Sequence, residues 1–140
     1  MIPQSVYKKP LEKIPKRSYC LVVDDDNDLL QDYTTLCNEI YPNSGIRHSS
    51  QENALKYLQE REYDCIIVDN DSFRVGEYRG LETVKRLVGL VDPSKIVYTS
   101  ALPDKKMQEE SKTHGLHFIE KGKWKKLEQI MKELFLKEPI

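Results

Sequence analysis

Four short apolar runs, each ending on a polar residue, constrain this chain more than any other feature. They are Cys20-Leu21-Val22-Val23 before Asp24-Asp25, Cys65-Ile66-Ile67-Val68 before Asp69, Ile96-Val97-Tyr98-Thr99 before Ser100, and Phe118-Ile119-Glu120 before Lys121. Runs of this length and composition, separated by helical patterns, read as strands of a parallel sheet covered on both faces. In an open parallel sheet the carboxyl ends of the strands open onto one crevice, so residues distant in sequence meet there.

The intervening segments supply the helices. Leu29, Tyr33, Leu36, Cys37 and Ile40 repeat at helical spacing, predicting a helix from about Asn27 to near Pro42. Gly45-Ile46-Arg47-His48 is a weak second strand, and Ser49-x-x-Glu52 reads as a capping box that opens a helix carrying Ala54, Leu55 and Leu58. Leu81, Val84, Leu87 and Val88 mark a third helix, closed by Pro93. Between Asp104 and His114 the only large apolar residue is Met107, so that helix is expected to lie lightly on the surface. The last helix buries Trp124, Leu127, Ile130, Met131, Leu134 and Phe135. Runs two and five are short or broken by polar residues, which suits sheet edges. The resulting order, 2-1-3-4-5, is that of a flavodoxin-like (βα)5 doubly wound α/β fold.

At 140 residues the chain is one domain's worth. Its net charge of −1 favours neither nucleic acid nor membrane as a partner. Residues 1–17 carry Lys8, Lys9, Lys13, Lys16 and Arg17 against Glu12, and are expected to be a basic, mobile extension rather than a docking arm. The amino terminus lacks the apolar stretch of a signal peptide, so a cytoplasmic protein is expected. Cys20, Cys37 and Cys65 are odd in number and lack C-x-x-C spacing, which points to buried thiols rather than disulfides or zinc. His48, His114 and His117 have no metal-pair spacing on a helix and are assigned no site. Lysines 121, 123, 125, 126, 132 and 137 form no nucleic-acid stripe; apart from the role of Lys121, they read as a solvated helix face.

Asp24, Asp25 and Asp69 cannot all be ionised close together without a counter-charge, and a bound cation removes that conflict. Mg2+ takes oxygen ligands and keeps several waters. Asp25 and Asp69 are the expected direct ligands, a backbone carbonyl near Asp71 completes the set, and Asp24 acts through water. Asp69 is also the expected nucleophile, since a carboxylate can take up a phosphoryl group as an acyl phosphate. Lys121 and the Ser100 hydroxyl would then neutralise charge on the phosphoryl oxygens. Taken singly, each of these residues has a blander use as a cap, a turn residue or a solvated charge; their joint placement after four strands is what favours the pocket.

The stretches Leu21-Val22-Val23-Asp24-Asp25, Asp64-Cys65-Ile66-Ile67-Val68-Asp69, Gly80-Leu81-Glu82-Thr83-Val84, Val97-Tyr98-Thr99-Ser100-Ala101 and Phe118-Ile119-Glu120-Lys121 resemble the receiver domains of two-component response regulators. The likeness runs from about Ser18 to Leu136 and assigns residues 18–138 to one receiver domain. It implies a phosphoprotein that takes a phosphoryl group on Asp69 from the phosphohistidine of a sensor histidine kinase or phosphotransfer protein, hydrolyses it slowly, and relays the signal to a downstream protein. It implies Ser100 and Phe118 as switch residues. By this reading the chain is a stand-alone receiver, a phosphoacceptor rather than an enzyme in the ordinary sense. Three features depart from the family pattern: Gly122 stands where a Pro usually follows the Lys, and a trans bond or a loop that differs is expected there; the segment from Asp69 to Gly80 is longer and places Phe73, Arg74, Tyr78 and Arg79 beside the pocket; and Asp71 adds a negative charge.

Two other readings compete. A phosphatase of the haloacid dehalogenase type would use Asp24-Asp25-Asp26 as its nucleophile loop, but it requires paired acidic ligands after the Lys, where only Glu128, Glu133 and Glu138 occur, and it leaves Asp69 idle. A receiver used only as a protein-interaction scaffold would keep the pocket without using it.

Overall fold

The computed structural model describes residues 18–40, 42, 44–70, 74 and 76–135. The extension 1–17 and the domain boundary expected at 138 lie outside the described residues. Five parallel strands, β1 (Tyr19–Val23), β2 (Gly45–Ser49), β3 (Cys65–Asp69), β4 (Ile96–Ser100) and β5 (His117–Glu120), form one sheet of order β2-β1-β3-β4-β5. Between and after them run α1 (Leu30–Ile40), α2 (Ala54–Glu60), α3 (Arg79–Leu87), α4 (Lys105–His114) and α5 (Trp124–Phe135). This is the flavodoxin-like arrangement expected from the apolar runs. Every residue of β3 and β4 is buried, whereas β2 and β5 are largely half-buried, as edge strands should be.

The twofold alternation of the strands divides the core in two. Leu21, Val23, Ile66, Val68, Ile96 and Tyr98 face Ala54 of α2, Leu81, Val84 and Leu87 of α3, and Met107 of α4. Cys20, Val22, Cys65, Ile67, Val97 and Ile119 face Tyr33, Leu36 and Cys37 of α1 and Leu127, Met131 and Phe135 of α5. The three cysteines are buried free thiols. Contacts with the Cys37 and Cys65 thiols, and then burial, hold the Cys20 pKa well above its ordinary value, so it packs as a neutral group. Helix α4 is held by Met107 and Ser111 alone among its buried residues, in keeping with its sparse apolar content. Among the described residues no helix is long and apolar enough to cross a membrane.

Two local expectations are corrected. Ser49 is not a helix cap: it is the last residue of β2, paired with Val23, and its hydroxyl donates to the Ser50 carbonyl. Helix α2 starts at Ala54 after Asn53, whose side chain makes no capping bond, while the Ser50 hydroxyl accepts the Asn53 N–H at 3.2 Å. Strand pairing therefore claimed the serine that the capping box required. Pro93 does not close α3 either, because that helix ends at Leu87 and Pro93 opens the 3-10 turn Pro93–Lys95 leading into β4.

The ladder sets the level at which each loop leaves the sheet. It continues one step past the strands through Asp24 N–H to Ser49 O at 2.9 Å, Asn70 N–H to Thr99 O at 2.9 Å, and Lys121 N–H to Ser100 O at 2.9 Å. On the α3 side, Gly80 allows the helix to press against the end of β3. A Cβ there would lie 2.9 Å from both Asn70 Cα and Tyr98 Cε1 and 3.0 Å from the Asp69 carbonyl oxygen.

Gly80→Ala should therefore lower stability. Overpacking against backbone costs about 1–3 kcal/mol, only partly offset by a helix-propensity gain of about 1 kcal/mol. Gly89→Ala, where nothing stands within 4 Å of the added carbon, should leave the denaturant midpoint essentially unchanged. Equal midpoints for the two variants in urea unfolding would contradict the close approach.

Candidate functional site

Asp69 closes β3 with 0% of its surface exposed. An ionised carboxylate so placed must be paired, because burying an isolated charge costs several kcal/mol. Lys121 supplies the pair: its Nζ lies 2.9 Å from Asp69 Oδ2. The Lys sits there because its own N–H extends the β4–β5 ladder to the Ser100 carbonyl. Immediately after it, Gly122 adopts φ +95°, a left-handed conformation that disfavours any side chain, and turns the chain toward α5. No cis peptide bond occurs among the described residues, so the bond before Gly122 is trans, as expected. Ser100, fully buried at the end of β4, accepts the Leu102 N–H on its Oγ at 3.2 Å. A hydroxyl that accepts there can still donate its own proton to an oxygen arriving in the pocket.

The adjacent acids at the end of β1 have different surroundings. Asp24 is buried; its Oδ1 accepts the Asp26 N–H at 3.0 Å, and its carbonyl accepts from His48 Nε2 at 2.6 Å. Asp25 turns outward, its side chain 29% exposed, with Oδ1 accepting the Gln51 N–H at 2.9 Å and Oδ2 lying 2.7 Å from Arg79 Nη2. Asp26 is exposed, and its Oδ1 accepts the Asp28 N–H. The acid-rich loop is thus folded on itself, while Asp69, which a dehalogenase-type reading leaves idle, holds the most buried carboxylate of the site.

Several residues of this site escaped the sequence reading. Gln51, only 5% exposed, donates from Nε2 to the Asp69 carbonyl at 2.6 Å and accepts the Thr83 hydroxyl on Oε1, so it joins β1, β3 and α3 in one polar network. Asn70 donates from Nδ2 to Glu77 O and accepts the Gly80 N–H on Oδ1, both at 2.9 Å. It thereby closes the long loop and caps α3, whose N-cap residue Tyr78 makes no side-chain capping bond. The one signal that could have found Gln51 and Asn70 was position: each lies within two residues of the carboxyl end of a strand, as the acids do. His48 had been assigned no site, and it buttresses the acid loop through the Asp24 carbonyl. Arg79 was expected beside the pocket; its partner was not. Asp71 and its carbonyl, together with Phe73, lie outside the described residues.

The acids influence a neighbour as well. Burial first, and then the charges of Asp69 and Asp24, raise the Tyr33 hydroxyl far above its ordinary pKa. On the opposite side, Phe118 meets Tyr98 edge to face at 5.7 Å. Beyond them, Tyr78 donates to Asp104 Oδ2 at 2.7 Å, and Asp104 Oδ1 caps α4 by accepting the Met107 N–H at 3.0 Å. The desolvation that would raise the Asp104 pKa is outweighed by these bonds, which lower it and keep the cap ionised.

The donor chemistry of Asp24, Asp25 and Asp69 is all hard oxygen and fits Mg2+. Their present arrangement does not gather them: among the described residues no three acidic, His or Cys side chains stand close enough to hold a metal ion. Asp25 faces Arg79, and Asp69 faces Lys121.

The family model described as response regulator receiver domain matches residues 20–133. The signal receiver domain of a DNA-binding response regulator protein (merR) from Colwellia psychrerythraea 34H superposes with TM-score 0.70 at 16% identity, over 86% of this chain and 99% of that one. A CheY-like response regulator receiver domain protein from Methanospirillum hungatei JF-1 gives 0.69 at 17%, over 85% and 94%. The chemotaxis protein CheY4 of Vibrio cholerae gives 0.66 at 19%, over 85% and 99%. At these identities the structures bear on the fold alone. No curated protein sequence matches the chain significantly.

Gln51→Ala should destabilise the protein by about 1–3 kcal/mol, because it strips partners from a buried hydroxyl and a buried carbonyl. Urea unfolding measures this, and a loss within a few tenths of a kcal/mol of zero would contradict the network.

Proposed function

The chain belongs to the response regulator receiver domain family, and on that premise we propose that it accepts a phosphoryl group on Asp69 from the phosphohistidine of a sensor kinase or phosphotransfer protein. The observation that carries this reading is the fully buried Asp69 carboxylate at the end of a central strand, held 2.9 Å from Lys121, with Ser100 closing the next strand one residue beyond Thr99, the register partner of Asp69. A carboxylate oxygen attacks phosphorus, the N–P bond of the donor breaks with its electron pair returning to the imidazole, and an acyl phosphate remains on Asp69. Lys121 then moves its positive charge from the carboxylate to the phosphoryl oxygens, and Ser100 donates its hydroxyl proton to one of them. Mg2+, when bound at Asp25 and Asp69 with Asp24 acting through water, supplies further charge neutralisation at the transferring group. Slow reversal follows when water attacks the same phosphorus and releases phosphate.

Signal output follows from the neighbours of Ser100. Drawing that hydroxyl toward a phosphoryl group alters the space beside β4, where Phe118 already rests edge-on against Tyr98. The ring can respond by changing rotamer. The nearest movable element is α4, with two buried residues and a cap shared with Tyr78 of the long loop. The surface of α4, β5 and α5 is therefore the face offered to a downstream protein, and a state that makes the new bonds is favoured by their differential energy.

Two measurements test this reading. Incubation with a small phosphodonor and Mg2+ should raise the intact mass by one phosphoryl group in the wild type and in Asp26→Asn, and not in Asp69→Asn; labelling that persists in the Asp69 variant would sink the assignment. With beryllofluoride and Mg2+, amide shifts should extend from Ser100 through residues 104–114 to Phe118 and exceed those inside α1. Shifts confined to the Asp69 pocket would contradict the proposed output and favour a receiver whose pocket is not coupled to its surface.

A further inference from the structure

The outer side of the acid pocket is a groove lined by Asp25, Asp26, Asn27, His48 and Arg79. Across it Arg79 reaches Asp25, Nη2 to Oδ2 at 2.7 Å, while the other Asp25 oxygen accepts the Gln51 N–H. Both oxygens of this carboxylate thus already hold donors from the protein itself. Arg79 is the first residue of α3, where a cation opposes the helix dipole. The free N–H at the start of that helix is served by Asn70 Oδ1 instead. Local helix energetics give no reason for a guanidinium at this position, and attraction to Asp25 does. The Arg79 side chain is nevertheless 58% exposed, so most of it already faces solvent.

We propose that Arg79 is a built-in occupant of the cation site: it competes with a divalent metal for Asp25 and so sets the metal affinity of this pocket. The inference rests on the reading of Asp24, Asp25 and Asp69 as the Mg2+ pocket. Mg2+ demands carboxylate oxygens at about 2.0–2.1 Å in near-octahedral array. A guanidinium already bonded to Asp25 Oδ2 takes up one acceptor direction and repels the incoming charge. In the absence of metal the same contact neutralises Asp25, as Lys121 does Asp69, so the pocket can stay folded while empty. Because the pair is solvent-exposed its hold is weak, and the competition tunes affinity rather than blocking it.

Calorimetric titration of Mg2+ into the whole chain tests this directly, without reference to phosphoryl transfer. Arg79→Ala should bind Mg2+ about two- to fivefold more tightly than wild type, the range set by the weakness of exposed ion pairs. The difference should shrink as monovalent salt screens the pair. Arg79→Lys should fall between the two. Lys85→Ala, which removes a charge from the same helix but one paired with Glu110, should match wild type. Equal affinity in wild type and Arg79→Ala would overturn the proposal and leave the metal pocket standing. Weaker binding in Arg79→Ala would also overturn it, making Arg79 a support for Asp25 rather than a competitor. Absence of Mg2+ binding by every variant would overturn the proposal together with the metal reading.

Discussion

The ion pair between Asp69 and Lys121 is the constraint around which the rest of the structure is arranged. A carboxylate with no exposed surface at the end of a strand buried on both faces is tenable only with a counter-charge in contact. That counter-charge arrives from an edge strand two places away in the sheet. Its position depends on the register of β4 with β5, on the bond from Lys121 N–H to the Ser100 carbonyl, and on the left-handed turn at Gly122 that releases the chain afterwards. A glycine accomplishes this turn through its positive φ.

Around this pair two side-chain amides tie the loops together. Gln51 ties the acid loop to the Asp69 backbone and to α3, and Asn70 closes the long loop while capping the same helix. Gly80 lets α3 approach closely enough for both. If Asp69 takes up a phosphoryl group as proposed, such fixity favours in-line attack, because misplacement lowers rate steeply. The opposite property is found at α4, which rests on Met107 and Ser111 and shares its cap, Asp104, with Tyr78 of the long loop. Between the firmly held end of β3 and the lightly anchored α4, the rings of Tyr98 and Phe118 meet edge to face.

Charge accounts for the remaining character of the site. The partly exposed Asp25 and the fully buried Asp69 each face a cation, Arg79 and Lys121 respectively, and the buried Asp24 is folded into its loop by Asp26 N–H.

Strand positions, sheet order and the three strand-end residues Asp69, Ser100 and Lys121 were legible in the sequence, because continuous apolar runs report burial on both faces and the carboxyl-end rule converts strand ends into a shared pocket. The free thiols and the light anchoring of α4 were legible for the same reason: they depend on local composition. Ser49 was misread, since its capping-box pattern is local whereas its pairing with Val23 is not. The partners of Gln51, Asn70, His48 and Arg79 were invisible, although Arg79 could be placed near the pocket. A polar side chain carries no mark of which loop will face it until the strands are aligned and α3 is pressed against β3. Burial periodicity along the chain is enough to put the chemistry-bearing groups at strand ends; which charges and amides meet depends on strand register and on the approach of α3 to β3, contacts between segments tens of residues apart.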